Sequence, residues 1–264
     1  METVIDLSID KLITIYENKV RQRRLDQLAK RLQKTLIFHQ RERKKQILLK
    51  IRTVWRNKNE AVERLSRADW ITMHIFDLQE EGELLSTIFQ PFYIEAGEEG
   101  QMYALRYLSG KIGRDIIFKG ATIWIQNNAI QFGKKYANMI SKTTNQAIRN
   151  QIAEAIKLGE NLNQVMERIT KVYQAAEGYR SEMIARTEMG RAYTMSSIKQ
   201  SKILGIKSWD WLGCNPVCPI CGPFMDSNPH TYEEIAAFRM STHPNCFGYD
   251  QPVVPEDFIP NEVY

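Results

Sequence analysis

The sequence predicts a mainly α-helical protein, with a long N-terminal helical arm, a helical domain and a small α+β knuckle near its C-terminal end. Three observations support this fold class. No glycine or proline precedes Gly82, strong helix formers dominate that stretch, and eight of the nine prolines come after residue 215. Proline and glycine interrupt helices, so we expect long helices upstream and short, loop-rich structure downstream.

The N-terminal arm is assigned to residues 1–110 from the spacing of its apolar residues. Steps of three and four place one block on a single helix face, and a second block resumes the stripe after a polar gap. The blocks are Leu25, Leu28, Leu32 and Leu36, then Ile47, Ile51 and Val54 or Trp55. The gap, HQRERKK, breaks any long heptad pattern, so we expect an extended helical arm rather than a regular coiled coil.

Residues 111–264 are predicted to form the second domain. Pro91 and the glycines between residues 97 and 120 indicate a looser region before it, where a short strand or hairpin can form over residues 115–118. Helical patterning returns from residue 121 to residue 171. Gly159 fits a helix C-cap, and Asn161 or Asn163 can cap the next helix.

The end of the chain is predicted to alternate between short elements. A helix is expected from Tyr179 to Leu204, ending at Gly205, and a strand over residues 206–212. Within the proline-rich tail only one helix is expected, over residues 232–239. Thr231 and Glu234 have the spacing of a capping box at its start.

Positive charge is concentrated in residues 19–58. This basic segment holds fifteen Lys and Arg against two acids, Asp26 and Glu42, a net charge of +13. The whole chain carries +5, so the remainder carries −8, from 21 basic and 29 acidic residues. The basic residues are Lys19, Arg21, Arg23, Arg24, Lys30, Arg31, Lys34, Arg41, Arg43, Lys44, Lys45, Lys50, Arg52, Arg56 and Lys58.

The basic segment has three readings. It is a solvated helix face, a surface for an acidic protein, or a surface for nucleic-acid phosphate. Aromatic residues are sparse there, so any nucleic-acid contact should be non-specific and without base stacking. The candidate nucleic-acid-binding residues are Arg21, Arg23, Arg24, Arg41, Arg43, Lys44 and Lys45.

Two ligand pairs near the C-terminal end predict a metal site. Cys218-Pro-Ile-Cys221 is a CxxC pair and His243-Pro-Asn-Cys246 is an HxxC pair. A two-residue gap lets both side chains of a pair reach one ion, and two such pairs complete a tetrahedron suited to zinc. Cys214 is an alternate ligand, whereas His230 is interpreted as a solvated loop histidine.

Structural zinc is preferred to the other interpretations of this site. A CxxC redox motif needs a helix after it, but Gly222-Pro223 follows at once. A catalytic zinc keeps an open position, which four protein ligands would close. We therefore expect a zinc-stapled knuckle over residues 209–250, folded by its metal.

A charged segment, Arg186-Thr187-Glu188, is the other candidate site. Glu188 and Arg191 are three residues apart and can pair on a helix surface. The alternatives are a solvated ion pair and a group that fixes the orientation of the knuckle. No nucleophile or histidine base accompanies them, so the protein is not expected to be an enzyme.

Composition excludes a membrane span and a secretory signal. No run of eighteen apolar residues exists, and the start METVIDLSID lacks a basic and apolar leader. All four cysteines lie between residues 214 and 246. This clustering favours metal binding over disulfides and a protein made in a cytoplasm.

The order of these motifs resembles the Mu F-like family of phage minor head proteins, also called head morphogenesis proteins. The resemblance covers roughly residues 121–250 and rests on the segment MIARTEMGRAYTMSSIKQSKILGI, the tryptophan-bearing strand, CPIC and HPNC. In the family a further cysteine often follows the histidine–cysteine pair, and an acidic residue often precedes the CxxC. This chain has Phe247-Gly248 and Cys214 there, which makes Cys214 a substitute ligand.

The resemblance implies a virion protein held in the capsid interior near the portal, present in the host cytoplasm during assembly. Family members aid head assembly, DNA packaging or DNA ejection. The expected partners are the portal protein, around which several copies can sit, and packaged DNA through non-specific phosphate contacts. The alternative functions are a zinc-containing, non-specific nucleic-acid-binding protein and, with less support, a metalloenzyme.

Overall fold

The fold is mainly α-helical, as predicted. The computed structural model describes residues 9–56, 66–116, 123–213, 218–246 and 248–261, with side chains from residue 19 onward. The helices are α1 (Ile9–Val54), α2 (Arg67–Ile75), α3 (Leu78–Ile112), α4 (Ile123–Lys157), α5 (Leu162–Ala175), α6 (Ser181–Ile203), α7 (Cys221–Asp226) and α8 (Tyr232–Ser241). Strands β1 (Trp209–Leu212) and β2 (Tyr249–Pro252) form an antiparallel sheet. Across the described ranges, no helix is both long and apolar enough to cross a lipid bilayer.

Two compact units divide the chain, and each draws on distant parts of the sequence. Unit 1 contains Met1–Arg31, Glu99–Phe118 and Arg186–Tyr264, and unit 2 contains Leu32–Glu98 and Lys119–Ala185. The domains predicted from the sequence, residues 1–110 and 111–264, were divided according to sequence patterns, and that division stays a prediction.

Each unit has its own hydrophobic core. In unit 2, α1, α2, α4 and α5 bury a cluster that includes Ile47, Ile71, Ile148 and Ile169. In unit 1, α3, α6 and the tail bury a cluster centred on Trp209 and Trp211. Every one of these isoleucines and tryptophans is almost fully buried, so both cores are continuous across elements that are far apart in sequence.

Helix α1 is long, as predicted, but it is not a free arm. Leu28, Leu32, Leu36, Ile47 and Ile51 are each at most 4% exposed, because other helices cover this face. Burial of such side chains contributes about 1.5–3 kcal/mol each. The helix is therefore a structural element of the units.

The polar gap in α1 is a buried layer rather than a break in the stripe. His39 Nε2 lies 2.7 Å from Glu81 Oε1, and Arg43 Nε lies 2.6 Å from Glu81 Oε2. All three side chains are at most 9% exposed. Burial raises the pKa of the neighbouring Tyr173 hydroxyl, with the nearby Glu81 carboxylate as a smaller cause. One carboxylate of α3 thus lies within ion-pair distance of two polar residues of α1.

The prediction of a looser region over residues 91–120 is wrong for residues 91–112, which are helical. Helix α3 runs through Pro91, Gly97 and Gly110 and ends at Ile112. Gly100 is needed for packing, because a Cβ there would collide with the backbone carbonyl of Tyr193. Of the expected strand over 115–118, residues 115 and 116 are not in a strand, and residues 117 and 118 lie outside the described residues.

The predicted helix ends are confirmed where a capping signal is local. Gly159 has φ +66° and closes α4, and Asn161 forms a capping box with Gln164 at the start of α5. Helix α6 ends before Gly205, whose φ is +103°. Positive φ is a conformation that glycine adopts without strain.

The C-terminal knuckle contains more structure than the sequence predicts. Strand β1 pairs with β2 from Trp209↔Pro252 to Leu212↔Tyr249, and β2 was not predicted. Helix α8 begins at its predicted capping box of Thr231 and Glu234. A second short helix, α7, contradicts the expectation of one helix in the tail; its six residues are too few to give a periodic signal.

We expect Glu81→Gln to destabilise unit 2 by about 3–5 kcal/mol, because it removes the buried counter-charge of the buried Arg43. Glu80→Gln is the matched control. Glu80 lies 3.5 Å from the same arginine but its side chain is 49% exposed, so its loss should cost under about 1 kcal/mol. Urea unfolding of both variants measures this, and equal effects would contradict the buried layer.

Candidate metal centre

The four predicted ligands come from two loops of unit 1. Cys218 and Cys221 lie at the start of α7, where the Cys218 carbonyl accepts a hydrogen bond from the Gly222 amide at 3.0 Å. His243 and Cys246 lie in the loop after α8. Asn245 in this loop has φ 61°, which turns the chain between the two ligands. Each pair is thus held by a tight local turn.

The ligand atoms of the two loops converge. One ligand atom from each of Cys218, Cys221 and His243 lies within 4.8 Å of the others. Cys218 Sγ is 3.3 Å from His243 Nε2, and Cys221 Sγ is 3.7 Å from Cys246 Sγ. Around tetrahedral zinc, two sulfurs should be about 3.8 Å apart and a sulfur and a nitrogen about 3.5 Å apart. Cys218, Cys221 and His243 therefore form one group that could hold a metal ion, whereas Cys246 contacts this group at Cys221 but lies outside it.

The imidazole of His243 is oriented for metal binding. Its Nδ1 lies 2.8 Å from the Pro244 carbonyl oxygen, to which it can only donate. This hydrogen bond fixes the tautomer and leaves the Nε2 lone pair facing Cys218. The same hydrogen bond is the main reason that the pKa of His243 is raised.

The two thiols of the CxxC pair differ in acidity. Burial works to raise the pKa of Cys218, but hydrogen bonds from Cys221 and His243 outweigh it and bring the pKa to about 7. Burial raises the pKa of Cys221 to about 12. A bound divalent cation would favour the thiolate form at both positions.

Aromatic side chains pack between β1, α7 and α8 and support the two ligand loops. The Trp211 ring is fully buried and meets Phe238 edge-on, with ring centroids 5.2 Å apart. Phe224 stacks on Phe238 at 3.8 Å, joining α7 to α8. Asn228 bonds both the amide and the carbonyl of Trp211, at 2.8 and 3.0 Å. This packing fixes both ligand loops against one strand.

The interpretation of His230 as a solvated loop residue is wrong. It is 5% exposed, its ring stacks on Phe224 at 3.6 Å, and its Nε2 lies 2.7 Å from the Phe224 carbonyl oxygen. Its backbone also pairs with Trp209. Within the described residues it lies outside the ligand cluster. Its neighbours suggested a polar turn, but its role is structural.

Helix α6 holds the HxxC loop in place. The Thr187 hydroxyl accepts a hydrogen bond from the Asn245 amide at 2.8 Å, and Arg191 donates to the Thr242 carbonyl at 3.3 Å. Arg191 is in turn held by Glu188 at 2.9 Å. Thr187 and Arg191 of the segment 185–193 (ARTEMGRAY) thus bond to the loop that carries His243 and Cys246, and Glu188 holds Arg191 in place.

The predicted pair of Glu188 and Arg191 is confirmed, but it is not solvated. Their side chains are 5% and 13% exposed. The contact with the tail comes from Thr187 and Arg191, which the sequence analysis did not single out for it. Arg186 instead approaches Asp26, at 3.9 Å.

Gly190, in the same segment, makes room for a buried cation. A Cβ at Gly190 would collide with the guanidinium of Arg239, which is 2% exposed. Burial lowers the pKa of Arg239, and the nearby Cys246 thiol is the main influence in the opposite direction. A side chain at position 190 would therefore require the guanidinium of Arg239 to move.

The alternate ligand Cys214 lies outside the described residues, so its part in the site stays a prediction. The sequence analysis placed it four residues before Cys218. Thr187 and Gly190 could have been found earlier only from a resemblance, because neither residue type signals a metal site.

The structure sorts the candidate nucleic-acid-binding residues into different environments. Arg21 and Arg43 are buried, and the Arg21 guanidinium lies 3.5 Å from the Tyr249 ring centroid. Arg24 pairs with Glu99, Arg41 and Lys44 pair with Glu177, and Lys45 pairs with Glu42. Arg23 is exposed. Phosphate binding by this set remains a prediction, and the two buried arginines are poorly placed for it.

Comparison with known proteins identifies one family. The family model described as Phage Mu protein F like protein matches residues 146–246. The match begins in α4, contains the α6 segment and ends at Cys246, so it includes all four candidate ligands. The predicted resemblance is confirmed for this segment. Searches of curated proteins and of solved structures found no match.

Purified protein should contain about one zinc per chain, because the four donors close one tetrahedral site. Cys218→Ser and Cys246→Ser should each lose the metal and unfold the knuckle. Metal analysis and tryptophan fluorescence measure the two effects. Full zinc content in a variant lacking all four ligands would contradict the site, and loss of zinc in Cys214→Ser would add that residue to it.

We expect Thr187→Val to weaken zinc retention about 5- to 100-fold, because it leaves the Asn245 amide without its acceptor, at a cost of about 1–3 kcal/mol. Thr170→Val is the control, since the Thr170 hydroxyl bonds only to the Met166 carbonyl of its own helix. Competition with a chromophoric chelator gives both affinities. Equal affinities would show that α6 does not hold the loop.

Proposed function

We propose, from the Mu F-like character of residues 146–246, that this protein is a minor head protein of a phage, associated with the portal in the capsid interior. The family match supports a role in phage head morphogenesis and association with the virion. The observation that carries the finer proposal is that the matched segment contains both α6 and the two ligand loops of the knuckle that α6 holds. A rigid module of this kind suits docking on an assembly.

The metal in this proposal is structural zinc. The knuckle elements are short, with strands of four residues and a helix of six. Cys218, Cys221, His243 and Cys246 would hold the ion and complete its coordination, leaving no open position for a substrate. Zinc would supply folding free energy to the module. On this basis the protein is proposed not to be an enzyme.

The head protein is favoured over a free zinc-containing nucleic-acid-binding protein by the charge of the knuckle. The knuckle, residues 209–250, contains one cation, the buried Arg239, against five acids, Asp210, Asp226, Glu233, Glu234 and Asp250. The net charge of the knuckle is thus −4, with histidines neutral. A zinc module that binds nucleic acid presents cations to phosphate, so the knuckle suits contact with protein.

The basic segment of α1 supplies the other half of the proposal. Its net charge of +13 would place cations beside packaged DNA or an acidic portal surface. Non-specific phosphate contact would help DNA packaging or ejection without reading sequence. During assembly the protein would lie in the host cytoplasm, with several copies able to gather around one portal.

Portal association is tested with the portal protein encoded by the same phage, which should be the neighbouring gene. The purified proteins should co-elute on gel filtration, and Cys246→Ser should weaken the complex because its docking module is unfolded. Thr170→Val is the folded control. No complex with either zinc-loaded protein or freshly co-expressed protein would contradict portal association.

Position inside the head is tested on purified virions. The protein should be present in low copy number and resist protease in intact particles, then become sensitive after the heads are opened. Absence from virions, or digestion in intact particles, would contradict the proposed location.

A further inference from the structure

Eight of the ten exposed cations between residues 19 and 56 follow an 11-residue repeat, and the other two, Arg31 and Lys50, lie outside it. The eight occur at alternating steps of four and seven residues, and each is exposed. They are Lys19, Arg23, Lys30, Lys34, Arg41, Lys45, Arg52 and Arg56. Eleven residues make about three turns of α-helix, so positions in this pattern return to nearly the same face. The basic residues are therefore ordered in rows, which composition alone does not reveal.

The part of this pattern in unit 2 is called the basic stripe and consists of Lys34, Arg41, Lys45, Arg52 and Arg56. The buried face of α1 follows the same repeat: Leu36 and Ile47 are one pair, and Leu32 and Arg43 another. One period thus sets which residues point inward and which point outward. Arg43 points inward, where its guanidinium pairs with the Glu81 carboxylate.

The residues of the stripe retain free positive charge. Arg41 pairs with Glu177 and Lys45 with Glu42, but their own side chains are 61% and 68% exposed. Such surface pairs contribute little and exchange readily. In the described part of the chain, no ion pair is recorded for Lys34, Arg52 or Arg56.

We propose that the basic stripe binds the phosphate backbone of duplex DNA, and that Arg21 and Arg43 take no part. The inference deepens the DNA contact of the proposed function and rests on it. From Lys34 to Arg56 the chain advances by 22 residue steps, about 33 Å at 1.5 Å per residue, close to one turn of duplex DNA at about 34 Å. It has no aromatic residue to stack on bases, so it recognises a row of phosphates without regard to sequence.

A protein partner is the other class that an exposed helix face can bind. Protein interfaces have an apolar centre with few charges, whereas every position of the stripe is basic. Two exposed apolar side chains, Phe38 at 67% and Leu49 at 63%, lie beside the basic stripe, each at a spacing of three or four residues from its members. A protein partner would cover these two side chains, whereas phosphate contact does not involve them, so substitutions at both positions distinguish the two kinds of partner.

The test compares two triple variants of the full-length protein with equal changes in charge. The stripe variant is K34E/R52E/R56E, and the control is K134E/K142E/K157E, at exposed lysines of α4 in the same unit. DNA affinity is measured by fluorescence anisotropy on duplexes of two unrelated sequences over a range of salt. A neutral variant, K34Q/R52Q/R56Q, separates loss of contacts from added repulsion. Circular dichroism checks that each variant is folded.

The stripe variant should lose about tenfold or more in affinity at low salt on both sequences, and the neutral variant should flatten the slope of log K against log salt by about 2 to 3. The control should keep most of the wild-type slope. Equal losses in stripe and control variants would overturn the proposal, as would undetectable DNA binding by wild-type protein at low salt.

Two further measurements separate this inference from the proposed function. The variant F38S/L49S should leave DNA affinity unchanged. If F38S/L49S and the stripe variant both abolish portal binding, this face of α1 binds protein and the inference is wrong. Portal binding that survives in the stripe variant, with DNA binding lost, supports the inference. If the wild-type protein binds the portal but not DNA, the inference is wrong and the proposed portal association still stands.

Discussion

The thiol groups of Cys221 and Cys246 lie 3.7 Å apart, with Cys218 and His243 beside them. Three thiolates at such separations would repel one another strongly. A divalent cation between the thiolates would reverse the sign of this interaction, because each thiolate would be attracted to the cation. Metal binding would then contribute free energy to folding. In the proposed zinc site, the two loops, the helices that follow and precede them, and the clamp from α6 would all depend on that change of sign.

Local signals in the sequence predicted much of this arrangement. The spacing of the two ligand pairs is short enough for one turn to bring each pair together. Helix ends at Gly159, Asn161 and Gly205 were also predicted, because a cap is decided by one or two residues and their immediate neighbours. Such features need no knowledge of the rest of the chain.

Features that depend on distant residues were not predicted. The polar gap of α1 looked like an interruption because its partner, Glu81, is about forty residues away and the repeat has a period of eleven rather than seven. Pro91 looked like a helix end, but packing overrides local propensity within α3. His230 looked solvated because nothing in its neighbourhood shows that Phe224 will stack on it. Tertiary contacts decide each of these cases.

The central claim is that one ion is held by three sulfurs and one nitrogen and closes the knuckle. X-ray absorption at the zinc edge, on protein purified without added metal, tests it directly. The account predicts three sulfur neighbours at about 2.3 Å and one nitrogen at about 2.0–2.1 Å, with no bound water. A shell with an oxygen neighbour would indicate an open position, and a shell of four sulfurs would place Cys214 in the site instead of His243. Either result would contradict a closed site formed by Cys218, Cys221, His243 and Cys246.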